Sequence, residues 1–206
     1  MNPFVYPKSK HSRREKPGEL SPYPKYKTFL QREFERKCIY CRMPDSMKDY
    51  EGYGVEHYRP KSRFPALVTS YSNLFYCCNP CNRRKGEYWP SRGRAKTHFI
   101  PNPCDHEMFK HLRFDGAVVE SKSDAGEVAR GLLDLNDPEA ISYRSFILDA
   151  IETFSAKKAG LESTRQQLEA LRSSGSVPTA DADVALASIQ LDLDTVTKNL
   201  ARLTGE

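Results

Sequence analysis

Apolar positions are spread unevenly along this chain, and their spacing divides it into segments of different character. Near the C-terminus Leu186, Ile189, Leu193, Val196, Leu200 and Leu203 recur at intervals of 3, 4, 3, 4 and 3, and upstream Ile147, Ile151, Phe154, Leu161, Leu168 and Leu171 also keep helical spacing. A stripe of this period buries one face of a helix. Between the two stripes, Ser173-Ser174-Gly175-Ser176-Val177-Pro178 carries turn formers and no repeat. Residues 139–206 therefore read as an antiparallel helical hairpin with a coiled-coil-like seam, which either packs on the rest of the chain or serves as a dimer or partner-docking surface.

The preceding segments are shorter. Phe29, Leu30 and Phe34 are spaced for a helix over residues 26–37. Residues 53–58 are aromatic and β-branched and stop before Pro60, which predicts a strand running into a turn, and residues 74–77 predict a second strand. A short helix should follow at once, with Asn79 to cap it, Pro80 in its first position and Gly86 behind Arg83-Arg84-Lys85. Downstream, Ile100-Pro101-Asn102-Pro103 is a connector, residues 112–119 read as a β-hairpin through Asp115-Gly116, and residues 128–135 as a short helix. Residues 1–26 are rich in Pro, Lys, Arg and Ser without periodicity, so an extended, partly disordered basic arm is expected. The fold class is α+β, with an arm (1–26), a central domain (27–138) and the hairpin (139–206).

Composition sharpens this outline. Only 38% of the 206 residues are hydrophobic and 29% are charged, so the core is lean and calls for a staple such as a structural metal. The net charge of +5 hides an asymmetry: residues 1–100 hold 21 Lys and Arg against 9 Asp and Glu, and the remainder 11 against 18. A basic first half points to a polyanion, with the DNA phosphate backbone as the expected partner. No apolar run approaches the ~18 residues of a membrane span, and no apolar signal region follows the basic start, so a cytoplasmic protein without membrane contact is expected.

Four of the six cysteines form two Cys-x-x-Cys pairs, Cys38/Cys41 and Cys78/Cys81. Each pair offers half of a tetrahedral Zn²⁺ site, and together they make a closed four-sulfur site suited to structure and not to catalysis. The 36 residues between Cys41 and Cys78 exceed an ordinary zinc ribbon, so the metal would staple the ends of the strand pair. Cys77 is expected to point away from its neighbour Cys78 as a small buried residue. Cys104, His106 and His111 form a weaker metal pattern.

Inside that staple lie Glu56-His57, then Asn73 sixteen positions on, then Asn82 nine later. With the four cysteines, this order and spacing resembles the HNH (ββα-metal, or His-Me finger) endonuclease superfamily in its four-cysteine form. The wider phrases Val55-Glu56-His57-Tyr58-Arg59-Pro60-Lys61, Tyr71-Ser72-Asn73-Leu74, Cys78-Asn79-Pro80-Cys81-Asn82, Asn102-Pro103-Cys104 and Leu132-Leu133-Asp134-Leu135-Asn136 are similar to the HNH effectors of Septu and retron-associated anti-phage systems.

The resemblance implies a ββα-metal nuclease core in which His57 is the general base, Glu56 and Asn82 hold a catalytic Mg²⁺ or Mn²⁺, and Asn73 orients the loop and the base. It implies hydrolysis of DNA phosphodiester bonds to 5′-phosphate and 3′-hydroxyl ends, and an ABC-type ATPase partner. Glu56 stands where Asp is more common and Asn82 where many members carry a second His; both still offer oxygen, which a hard cation prefers. Arg59, Lys61, Arg83, Arg84 and Lys85 surround these groups with positive charge for the nucleic-acid backbone. Two alternatives stand beside this reading: a zinc-stapled nucleic-acid-binding module without catalysis, and a nuclease subunit dormant without its ATPase partner.

Overall fold

Local signals set most of the short elements. The structure, a computed structural model, describes residues 2–47 and 52–205. Helix α1 (Lys27–Glu33) follows a 3-10 turn at Tyr23–Tyr26 and buries Leu30 and Glu33. It ends short of the expected residue 37 because Glu35 and Arg36 adopt positive φ values of 56° and 57°, which no right-handed helix continues.

Strands β1 (Tyr53–His57) and β2 (Leu74–Cys78) pair antiparallel, with Tyr53 opposite Cys78, Val55 opposite Tyr76 and His57 opposite Leu74. Every residue of β2 is buried, so it runs through the centre of the core. Helix α2 (Asn79–Lys85) starts directly from β2 with Pro80 in its first turn, and Gly86 ends it at a φ of 49° that favours glycine. Strand, loop, strand and short helix thus follow in the order the sequence predicts.

A second pair, β3 (Leu112–Asp115) and β4 (Val118–Ser121), turns at Gly116, whose φ is 54°. Helix α3 (Asp124–Leu132) starts and ends earlier than the apolar spacing implies. The Ser123 hydroxyl accepts from the Gly126 N–H at 3.1 Å and fixes its start. Gly126 is required here, since a Cβ would collide with the carbonyl of His111.

The basic arm is extended, yet it is packed and not loose. Phe4 and Tyr6 are fully buried, and the Tyr6 hydroxyl donates to the Tyr40 carbonyl at 2.5 Å. Arg13 lies over the rings of Phe34, Tyr71 and Phe75 and donates to the Leu74 carbonyl at 2.7 Å. Buried Glu33 accepts from the N–H groups of Arg14 and Glu15 at 2.9 and 2.8 Å and bonds His11 Nε2 at 2.5 Å. Isolated anchors of this kind have no period, so a periodicity argument passes over them.

The helical hairpin consists of α4 (Pro138–Ser173), capped by the Asp137 carboxylate, and α5 (Thr179–Thr204). Ile147, Ile151, Leu193, Val196 and Leu203 are buried, whereas Leu171 is 45% exposed and falls outside the seam. The root of the hairpin packs on Phe4 and Met43. Ser46 Oγ donates to the Arg202 carbonyl at 2.6 Å and the Tyr143 hydroxyl to that of Met47 at 3.2 Å, fixing its direction. Among the described residues no helix is long and apolar enough to cross a membrane.

Candidate active site

Two knuckles bring the four cysteines together. Cys38 and Cys41 occupy the turn after α1, where Cys38 N–H donates to the Met43 carbonyl and Arg42 N–H to that of Cys38, both at 3.0 Å. Ile39 N–H reaches the Tyr76 carbonyl at 3.1 Å and ties this knuckle to β2. Cys78 closes β2 and Cys81 lies in the first turn of α2. All four sulfurs lie within 4.8 Å of one another, and none is in a disulfide. Tetrahedral zinc with Zn–S bonds of about 2.3 Å spaces its sulfurs by roughly 3.8 Å, close to the 3.6 Å between Cys41 and Cys78.

The chemistry of the donor set agrees with that geometry. The Cys78 thiol is pushed down to about 5: Cys38 opposes the shift, but hydrogen bonds with Cys41, Cys77 and Cys81 outweigh it. Cys38 is lowered as well, whereas hydrogen bonds with Cys38 first of all raise Cys41 and Cys81, so thiolate character sits on two of the four sulfurs and a soft divalent metal would displace the protons of the other two. Four sulfurs saturate a tetrahedral site, so a zinc ion bound here would have no open position for catalysis. Cys77 is buried as expected but does not point away, because its sulfur lies 3.8 Å from that of Cys38 where the chain swings from β2 into α2. His106 and His111 instead pack on each other and on Phe99, and among the described residues they belong to no metal-ligand cluster.

A cleft of about 210 Å³ is lined by Glu56, His57, Lys61, Asn82, Glu87 and Tyr23 among others. Consecutive residues at the end of β1 supply Glu56 and His57, and the middle of α2 supplies Asn82, so the β1–β2–α2 unit assembles the set. His57 Nε2 lies 2.9 Å from the Val68 carbonyl. That nitrogen must carry the proton, which leaves Nδ1 as the acceptor. Burial lowers the pKa of His57, with the Val68 bond opposing it, so the ring is neutral near pH 7.

Asn73 does not touch the His57 ring. Its Oδ1 accepts from Arg59 N–H at 2.8 Å, and its Nδ2 donates to the carbonyls of Arg59 and Leu67 at 3.1 and 3.3 Å. It thereby ties Arg59 to Leu67, the residue before the Val68 whose carbonyl meets the His57 ring.

Glu56 is buried and ion-paired with Lys85, whose ammonium also donates to the His57 carbonyl at 3.0 Å. Burial pushes the Glu56 carboxyl up to about 7, with Lys85 partly offsetting it. Lys85 is therefore corrected from a surface phosphate contact to a buried partner of Glu56. One helical turn separates it from Asn82, which turns it inward on the same face of α2. Arg84 is likewise turned away from the cleft, because Asp134 and Asp137 hold it at 3.2 and 3.1 Å. Arg59, Lys61 and Arg83 remain exposed.

Tyr23 has no signature in the sequence that would assign it here. Its ring meets that of His57 edge-on at 4.6 Å, and Lys61 Nζ donates to its hydroxyl at 3.5 Å. The arm therefore supplies one wall of the cleft.

Comparison with known proteins gives one informative similarity. The chain is 28% identical over 127 residues to the Septu protein PtuB of Bacillus thuringiensis, a match covering 61% of this chain and 46% of that protein. The aligned region thus spans just under half of the relative's length. No protein-family model and no solved structure matches the chain.

Proposed function

We propose that this protein is a metal-dependent endonuclease of the HNH type that hydrolyses DNA phosphodiester bonds, and that it acts in anti-phage defence. The observation that carries the reading is the convergence of Glu56, His57 and Asn82 on one cleft beside a four-thiol staple. The similarity to a Septu protein supports the defence role.

In this reading the neutral His57 takes the proton of a water through Nδ1 as the water oxygen forms its bond to phosphorus and the bond from phosphorus to the 3′ oxygen breaks. The 3′ oxygen takes a proton from solvent, leaving 5′-phosphate and 3′-hydroxyl ends. Val68 and the Asn73 clamp hold the ring through this transfer. Glu56 and the Asn82 amide oxygen would hold Mg²⁺ or Mn²⁺, a hard cation suited to oxygen donors. When bound, such an ion stabilises charge developing on the phosphate and the leaving oxygen. Arg59, Lys61 and Arg83 attract the backbone.

One observation favours the dormant-subunit reading as a second possibility: Lys85 already neutralises Glu56. A partner of the ABC-type ATPase class, docked through the α4–α5 hairpin, would then release Glu56 for the divalent ion. Cleavage of supercoiled plasmid by the chain and by His57→Ala, with Mg²⁺, Mn²⁺ or EDTA, tests the proposal. Metal-dependent nicking that His57→Ala abolishes supports it, and nicking that survives in His57→Ala removes His57 as the base. Nicking that appears only with an ATPase partner selects the dormant form.

A further inference from the structure

The chain leaves the cleft at Gly86 and Glu87, passes Trp89 and enters residues 91–97, all of them exposed. This segment contains Arg92, Arg94 and Lys96 and no carboxylate. It is formed and not loose: Arg94 N–H donates to the Ser91 carbonyl at 2.9 Å, and His98 N–H to that of Arg94 at 2.8 Å. The Tyr88 hydroxyl closes its base by donating to the His98 carbonyl at 2.5 Å. Most other arginines of the basic half are committed to carboxylates, carbonyls or rings. Arg92, Arg94 and Lys96 form no ion pair among the described residues. Exposed and paired with no acid among the described residues, they carry a charge that no ion pair of the fold uses.

The base of this segment is tied to the loop that supplies Pro60 and Lys61 to the cleft. Arg63 donates to the Trp89 carbonyl at 3.2 Å, and Arg59 lies 5.8 and 5.7 Å from the ring centres of Phe64 and Trp89. Trp89 also meets Tyr58 and Phe64 edge-on at 5.6 and 5.2 Å. These rings are engaged with one another and with Arg59, which argues against a stacking platform for unpaired bases. What remains is point charge on a preformed loop, the chemistry that grips a phosphate backbone without reading bases.

We propose that residues 91–97 form a second phosphate-binding site, in which Arg92, Arg94 and Lys96 bind the backbone of duplex DNA beside the phosphate held in the cleft. The proposal rests on the reading of the cleft as a DNA-cutting site. It makes the loop a rail that sets the duplex in register with His57, while the reacting groups stay within the β1–β2–α2 unit.

The test is fluorescence anisotropy of a labelled duplex over a salt series, with the full chain carrying His57→Ala so that the DNA stays intact. The parent is compared with Arg92→Ala/Arg94→Ala/Lys96→Ala and with Lys157→Ala/Lys158→Ala/Lys198→Ala, which removes equal charge from the hairpin. The loop variant is expected to weaken binding about 100-fold at low salt and to reduce the slope of log K against log salt by about 2 to 3, near 0.9 for each phosphate no longer neutralised. Each single loop substitution should reduce it by about one. The hairpin variant should bind as the parent does. A loop variant that binds like the parent overturns the rail and leaves the cleft reading standing. Losses seen only with RNA, single strands or anionic vesicles overturn the duplex assignment. A parent that does not bind DNA and, with His57 restored, does not cut it even with the ATPase partner present removes both readings together.

Discussion

Lys85 and Glu56 form an ion pair beneath the cleft, and the same ammonium donates to the carbonyl of His57. One buried cation thereby holds both residues at the end of β1. Removing a single partner of a buried pair leaves the other charge uncompensated, at a cost of about 3–5 kcal/mol. Lys85→Met should destabilise the zinc-loaded chain in urea titration, by less than that amount at neutral pH, because the Glu56 carboxyl, already pushed up to about 7, takes up a proton once the ammonium is gone. In Glu56→Gln/Lys85→Met the loss should be smaller than the sum of the two single losses.

The clamp made by Asn73 predicts a different signature. Asn73→Ala strips one acceptor and two donors from the loop after β1, each bond contributing about 0.5–1.5 kcal/mol. Melting temperature should fall, and cleavage should fall further than stability explains because the Val68 carbonyl no longer fixes His57. Nicking rates measured well below the transition temperature separate the two effects.

Zinc content is checked by native mass spectrometry. One zinc per chain is expected, absent from Cys41→Ser and Cys78→Ser and retained in Cys77→Ala, since the four-thiol set is complete without Cys77. Retention in both serine variants would remove the staple. Chelation should unfold the β1–β2–α2 unit, because the metal closes both of its ends.

Glu33 predicts an acid limit. Burial raises the pKa of its carboxyl, but hydrogen bonds from Arg14 N–H, Glu15 N–H and His11 outweigh this and lower it on balance. A carboxylate depressed in the folded state contributes stability that is fully present above its unfolded pKa of about 4.3 and is lost as pH falls through the lower folded value. The arm should therefore detach at acid pH, reported by amide exchange at Arg14 and Glu15. In Glu33→Gln the same exchange should already be fast at neutral pH.

Whatever repeats or falls at fixed spacing was legible in the chain order. Cys-x-x-Cys pairs, the Glu-His, Asn, Asn series, the Pro80 start and Gly86 stop of α2, the Asp115-Gly116 turn and the 3-4 apolar seam act over a few residues, so their positions need no knowledge of the packed molecule. Helix α1 ended early and α3 began early because positive φ at Glu35 and Arg36 and the Ser123 cap override apolar spacing.

Which way a charge faces, and what lies across a cleft, came only with the packed fold. Lys85 and Arg84 are neighbours in a basic run, yet α2 turns one into the core against Glu56 and the other to Asp134 and Asp137. Tyr23 reaches His57, and Arg13 reaches Phe75, only because the arm folds back over the strand pair. Those contacts join residues distant in sequence through single side chains, and a single side chain carries no period to read.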